Sequence, residues 1–305
     1  MHQIEFFALG TKWWLSTTDS ISSTNWQQIS DQSQQIVWKF NNLYSRFLET
    51  SLVGRLNKNK VIENFDLEFL QMIVLGQKVK QISGGYFDIS LGNDLNRIGY
   101  DSSFNFSDGV MSFDFKSSDK NLTETKTDYP DLCDDIFKQI TSSTIEIYPD
   151  FQIDLGGLGK GWLVDKLVEF FRLHSLKNFT INGGGDIFST GGQFYLENPF
   201  DTTESIGTIE LNNSAIACSS SNKRRFENDN HHLINPKTHQ SQNTFVAVFT
   251  QSKNALMADI ASTTLFVSPV LEHQKIAKAL DVEYLLIDPD GNYFASSGYK
   301  GVLHV

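Results

Sequence analysis

Cysteine is nearly absent: Cys133 and Cys218 are the only two among 305 residues. They cannot supply a four-thiolate zinc site or a disulfide framework, although one disulfide between them is formally open, so a bound metal is expected on oxygen ligands. Basic residues are also scarce, with 25 Lys and Arg against 36 Asp and Glu and a net charge of −11. A chain of that charge with no dense basic tract repels a polyphosphate backbone, and nucleic acid is not an expected partner. No apolar run reaches the roughly 20 residues of a spanning helix, and the best candidate, Asn254 to Val270, is broken by polar residues. No transmembrane segment is expected. The start, Met1 to Phe7, lacks the basic residues and apolar core of a secretory leader and holds no Cys for lipid attachment. That predicts a cytoplasmic protein, or an exported or membrane-anchored one if a leader was removed. What the chain does have is apolar material, 40% hydrophobic and 12% aromatic, enough for a substantial core.

Periodicity sorts this material into elements. Phe6 to Ser16 alternates and reads as a strand, and Trp26 to Leu48 has helical spacing. A second helix is predicted over Leu67 to Ile82, ended by Ser83-Gly84-Gly85. Residues 102–135 are polar and read as surface loops and weak strands, the expected variable insertion. Thr144 to Tyr148 and Phe151 to Leu155 read as strands, then a glycine turn at 156–161, then a helix from about Trp162 to His174. The same strand-then-glycine pattern follows at Phe179 to Asp186. Short strands at Ile206 to Leu211, Phe245 to Thr250 and Tyr284 to Ile287, with helices at Ala255 to Phe266 and Glu272 to Leu280, complete the chain. No repeat or low-complexity linker is visible. The mixture predicts one compact α+β or mixed α/β domain over 1–305, with two lobes.

Several segments carry chemistry, and each has a plain alternative. Gly156-Gly157-Leu158-Gly159-Lys160-Gly161 suits an anion cradle at a helix N-terminus. It fails the Walker template, which needs Gly at Asp154 and Ser or Thr at Gly161, and the dinucleotide template, which needs Gly at Trp162. Alone, it is equally an ordinary tight turn. Asn182-Gly183-Gly184-Gly185-Asp186 ends an apolar strand, where ligands often sit, and is otherwise a plain loop. On the predicted helix, Asp259 and Thr263 stand at i, i+4 with two oxygens on one face, suited to Mg²⁺. A solvated Asp beside a back-bonded hydroxyl is the commoner meaning of such a pair. His231 and His232 point to opposite faces of any strand, so one of them is a candidate general base, with no further ligands nearby for zinc and a surface turn as the bland reading. Lys223-Arg224-Arg225 binds phosphate or caps a solvated hairpin, and short charge runs usually do the latter.

In this order the pieces resemble the ApbE family of FAD:protein FMN transferases. The matching segments are Gly10-Thr11-Lys12-Trp13; Ser45-Arg46-Phe47 through Ser51, with Arg55-Leu56-Asn57; Ser83 to Asp88; Ile153 to Gly161 with Asp165; Asn182 to Asp186; Ala215 to Ser219; His232 to Pro236; and Ala258-Asp259 with Thr263-Thr264. They span residues 10 to 264, and their shared order is far more specific than any one of them. Two positions depart from the family pattern: His239 follows Pro236-Lys237-Thr238 where many members have Gly, and Ser220 follows Ser219 where Gly is usual.

The resemblance implies a mixed α/β fold with a flavin site between lobes. It implies transfer of FMN from FAD to a Thr or Ser hydroxyl of an acceptor flavoprotein or flavoprotein domain, with AMP leaving. Carried over, it places FAD against Leu9, Phe47, Tyr86, Phe87, Asp88, Asp154 and Lys160. It assigns Mg²⁺ to the Gly157 carbonyl, Asp259 and Thr263, with His232 the candidate base. Two alternatives use the same pocket: FAD hydrolysis to FMN and AMP, and flavin binding without turnover. Asp186 to Gly192 faintly resembles the acceptor pattern of such enzymes but lacks its closing Ala-Thr, so self-modification is not expected.

Overall fold

The computed structural model describes residues 1–100, 129–222 and 230–304. The chain opens with an antiparallel hairpin, β1 (His2–Ala8) and β2 (Thr11–Thr17), and not with the single strand expected over Phe6 to Ser16. Leu9 and Gly10, at φ 51° and 68°, form its two-residue turn, and a Leu at such a position carries no turn signal. Helix α1 (Ser23–Tyr44) is capped by Ser22 and ends at Tyr44, four residues before the expected Leu48, with Ser45 as its C-cap. A short helix that the periodicity did not show, α2 (Leu52–Asn59), follows with Ser51 as its cap. Strand β3 (Val61–Glu63) leads to α3 (Leu67–Ile82), whose bounds match those read from sequence, with Asp66 capping its start. After α4 (Gly92–Arg97), the polar stretch expected as an insertion lies outside the described residues as far as 128. Its end is packed rather than loose. A 3-10 turn at Pro130–Leu132 buries Leu132, and the Leu132 carbonyl accepts from Gln77 Nε2 at 2.9 Å.

Strands β4 (Phe137–Ile140) and β5 (Thr144–Ile147) join β3 in a three-stranded sheet of order β3-β5-β4. Phe151 to Leu155 is not a strand: only Gln152 makes a bridge, to Leu91. Gly156 to Gly161 is no turn but the start of α5 (Gly156–Leu173), and none of its glycines has positive φ.

The remaining elements are β6 (Phe179–Gly183), β7 (Asp186–Ser189), β8 (Gly192–Glu197), β9 (Ser205–Leu211), β10 (Ser214–Ser220), β11 (Ile234–Asn235), β12 (Gln240–Ser241), β13 (Ala247–Ser252), α6 (Ala255–Val267), α7 (Val270–Leu280), β14 (Glu283–Ile287), β15 (Tyr293–Ala295) and β16 (Val302–Leu303). Eight strands form one sheet of order β1-β2-β6-β7-β10-β13-β14-β15, antiparallel at every pairing. Strict alternation splits its side chains. Ala215, Ala217, Val248 and Leu286 join the main core with α5 and α6, whereas Ile216, Phe249, Leu285 and Ile287 meet Leu196, Ile206, Ile209 and Leu211 of the three-stranded sheet β16-β9-β8. Helices thus cover one face of the large sheet and a small sheet covers the other. The fold is mixed α/β, as read from the sequence. Among the described residues, no helix is long and apolar enough to cross a membrane.

Candidate functional site

The site grows from the first two turns of α5. Gly157 and Gly161 are there for close approach. A Cβ on Gly157 would lie 3.2 Å from the Phe87 ring and 3.8 Å from Thr263 Cγ2; on Gly161 it would lie 2.6 Å from the Ala255 carbonyl and 2.7 Å from Asp259 Cβ. Helix α6 is buried almost all round, and Asp259, 3% exposed, is a carboxylate inside that apolar helix. A buried charge must be paired. Gly161 N–H donates to Asp259 Oδ2 at 2.8 Å, and Lys160 Nζ stands 3.5 Å from Oδ1. The same ammonium is ion-paired with Asp186, which is 1% exposed. Asp186 follows the Gly184-Gly185 turn of the β6–β7 hairpin, where both glycines have positive φ and Gly185 N–H donates to Asn182 Oδ1. That turn abuts the β1–β2 turn: Gly184 N–H donates to the Lys12 carbonyl, and a Cβ on Gly184 would strike Thr11. Leu9 therefore sits at the same end of the sheet as Asp186.

One helical turn beyond Asp259, Thr263 Oγ1 shares a hydrogen bond of 3.2 Å with Ser219 Oγ, which also meets Ser262 Oγ at 2.8 Å. Among the described residues, no three His, Cys, Asp or Glu side chains cluster as metal ligands. A cation beside Asp259 would therefore draw on mixed oxygen donors. Asp259 carboxylate, Thr263 hydroxyl and the backbone at Gly157 are all hard oxygens, a set that fits Mg²⁺ and does not suit zinc.

A second group forms where α1 ends. Arg46, its side chain 5% exposed, places Nε 2.6 Å from Asp154 Oδ2. Its other nitrogens donate to Asn96 Oδ1 at 2.7 Å and to the Tyr100 carbonyl. The guanidinium lies over the Phe47 ring at 4.4 Å and the Tyr100 ring at 5.2 Å. Tyr100 in turn packs edge-on against Phe47 and 6.3 Å from the His232 ring. One arginine thus ties Asp154, Phe47 and the neighbour of His232 together. Asp154 also accepts Gly156 N–H at 2.7 Å, which links this group to the start of α5.

His231 and His232 precede β11 rather than lie in a strand, and they differ in burial, His232 being half-buried. His231 is fully buried, its Nε2 3.1 Å from Asn243 Oδ1, its Nδ1 accepting Leu233 N–H and its ring edge-on to Phe266. Such a residue holds the fold. The β11–β12 hairpin after His232 is fastened to α4: His239 Nδ1 meets Asp94 Oδ2 at 2.9 Å, and the His239 carbonyl accepts from Arg97. His239 has φ 56°, the left-handed conformation that Gly adopts freely.

The segment 86–88 divides its duties. Tyr86 is half-buried with Lys237 Nζ 4.0 Å above its ring. Phe87, 3% exposed, lies in the main core under Gly157. Asp88 pairs with Lys80 at 3.1 Å and holds Ser90 by backbone and hydroxyl. Ser189 is fully buried and Thr190 donates to the Phe179 carbonyl, so the faint acceptor pattern lies inside a strand and its turn. Lys223 to Arg225 lie outside the described residues. Arg46 and Asp186 did not stand out in the sequence as site residues. Their signal was membership of the matching segments Ser45-Arg46-Phe47 and Asn182 to Asp186, with no role of their own attached.

The sequence profile of the ApbE family matches residues 9–286. An FAD:protein FMN transferase of Klebsiella pneumoniae is 29% identical over 137 residues, a match that takes in 43% of this chain and 43% of that protein. One from Haemophilus influenzae is 23% identical over 317 residues, covering 96% of this chain and 88% of the relative. The crystal structure of the ApbE protein of Thermotoga maritima has the same fold, with a TM-score of 0.76 at 20% identity over 97% of each chain. With that match running through every element that carries the site, the chain belongs to the ApbE family.

Proposed function

We propose that this protein transfers FMN from FAD to a Ser or Thr hydroxyl of an acceptor flavoprotein, releasing AMP. The acceptor oxygen attacks the phosphorus on the FMN side of the pyrophosphate, the bond to the AMP phosphate oxygen breaks, and a phosphoester forms. His232 takes the hydroxyl proton, a role suited to an imidazole near neutral pH. Lys160 offsets charge on the departing phosphate, Phe47 and Tyr86, with Leu9, provide the apolar walls for the rings, and Phe87 backs Gly157 from the core. Asp154 and Asp88 shape the loops that meet α5. Mg²⁺, held by Asp259, Thr263 and the Gly157 carbonyl, would neutralise the pyrophosphate oxygens as bond cleavage begins.

The observation that carries this reading is the meeting of Lys160 of α5 with two buried carboxylates, Asp259 of α6 and Asp186 at the start of β7, since buried charge gathered there suits a charged ligand. The names of the relatives support the same reading. Incubation with FAD, Mg²⁺ and a candidate acceptor domain is expected to add one FMN mass to a Ser or Thr of that domain. AMP release with no mass added to any acceptor would instead make the protein a hydrolase.

A further inference from the structure

The proposed ligands come from two helices, Gly157 and Lys160 on α5, Asp259 and Thr263 on α6. Nothing within either helix fixes its partner's height. The seam between them has a regular, antiparallel register in steps of four. Gly157 abuts Thr263, Gly161 abuts Asp259, and Asp165 meets Ala255. The first two rungs are glycine contacts with one directional bond between them, from Gly161 N–H to Asp259. The third rung is directional. The first N–H groups of a helix have no acceptor of their own. In α6 those of Ala255 and Leu256 both donate to the Asp165 carboxylate, at 2.8 and 3.0 Å, across 90 and 91 residues of chain. The next, Met257 N–H, goes to Asn254 Oδ1 within the same segment, at 2.9 Å.

We infer that Asp165 is a positioning residue for the transfer reaction: its bidentate hold on the start of α6 locks the register that sets Asp259 and Thr263 against Gly157 and Lys160. A slip of α6 by one residue would rotate Asp259 away from Lys160 and Gly161 together, since successive helix residues face 100° apart. Burial lifts the Asp165 carboxyl to about 6, against the pull of its two N–H donors, so at neutral pH it remains an ionised acceptor for both. This inference rests on the proposed metal role of Asp259.

The seam gives its own control. Asp165→Asn gives up the charge and one of the two acceptors, and Asn254→Ala removes the neighbouring cap at the same end of α6, but only the first weakens the tie to α5. The measurement is the Mg²⁺ concentration for half-maximal FMN transfer, with folding checked by circular dichroism and FAD affinity measured without metal. Asp165→Asn is expected to raise the Mg²⁺ requirement roughly 10- to 100-fold, the usual scale for losing a group that orients a metal ligand, with FAD affinity within about twofold. Asn254→Ala should leave that requirement unshifted. Asp165→Glu, which retains a carboxylate on a longer arm, should fall between, and serves in place of Asp165→Asn if the latter does not fold. Equal shifts for the Asp165 and Asn254 variants, or no shift for either Asp165 variant in a wild type that needs Mg²⁺, overturn the inference. Full transfer by the wild type in EDTA overturns the metal reading first and the inference with it.

Discussion

The α5–α6 seam and the wall formed by the end of α1, α4 and the β11–β12 hairpin hold their polar groups by different means. In the seam, backbone meets backbone: glycines let α6 approach until Asp259 touches Gly161, and the charged groups follow from the packing of two regular helices. In the wall there is little regular structure. Arg46 does the organising through side-chain contacts to Asp154, Asn96, Phe47 and Tyr100, and the hairpin after His232 is held by His239 and Arg97. A seam of that kind tolerates almost no added volume, whereas a wall of side-chain contacts fails gradually as its ties are cut. Each expectation below probes one side of this contrast.

The largest effect belongs to the seam. Asp259→Asn retains an oxygen for Gly161 N–H but loses the charge, so the fold should survive while transfer falls by about 10³-fold or more, the equivalent of several kcal/mol of transition-state stabilisation. Steady-state transfer alongside a melting curve checks both halves. Normal transfer by this variant would remove the metal from Asp259.

The two histidines come next, because they divide chemistry from structure on adjacent residues. His232→Ala is expected to lower transfer by roughly 10²- to 10⁴-fold at nearly unchanged FAD affinity, the range for loss of a general base. His231→Ala should spare the chemistry and cost about 2–4 kcal/mol of stability, since it empties a fully buried site and strips partners from Asn243 and Leu233. The reverse pattern would shift the assignment by one residue.

These contrasts also explain what the sequence disclosed. α3 could be bounded to the residue because an apolar stripe, an Asp cap and a glycine stop all agree there. The β6–β7 turn was visible because Gly184 and Gly185 must take positive φ. The glycine segment at 156–161 misled for the opposite reason: glycine lowers helix propensity, and what overrides that lies almost 100 residues away in Ala255 and Asp259. Periodicity within one segment cannot report a contact with another. Arg46 was obscure on the same ground, as its partners Asn96, Tyr100 and Asp154 are scattered along the chain. Of the candidate residues, those in the seam lie on two helices at readable spacing, and those in the wall meet only through folding.

Arg46 offers a sharper test of the wall. Arg46→Lys retains the charge but loses the planar fork and its stacking on Phe47 and Tyr100. Cation–π contacts of this type are worth about 0.5–2 kcal/mol each, so FAD affinity should weaken by about tenfold while the Mg²⁺ requirement stays fixed. Calorimetric titration of FAD separates the two. A shift in the Mg²⁺ requirement instead would mean that wall and seam are not independent.

The smallest effect concerns His239, where the family pattern has Gly. The residue sits in the left-handed region, a conformation that costs a non-glycine residue roughly 1–2 kcal/mol, and its ring returns part of that through Asp94. The His239 ring is 59% exposed, where such a surface contact contributes about 0–1 kcal/mol. His239→Ala keeps the backbone cost and drops the side-chain tie to Asp94, so the hairpin that follows His232 should loosen and transfer should fall about two- to fivefold. His239→Gly drops the tie but also removes the backbone cost, so transfer should return to within about twofold of wild type. The ordering wild type, Gly, Ala at saturating FAD is the decisive readout. Equal loss in both variants would assign the hairpin's position to the imidazole alone, and no loss in either would leave Arg97 and Lys237 as its fasteners.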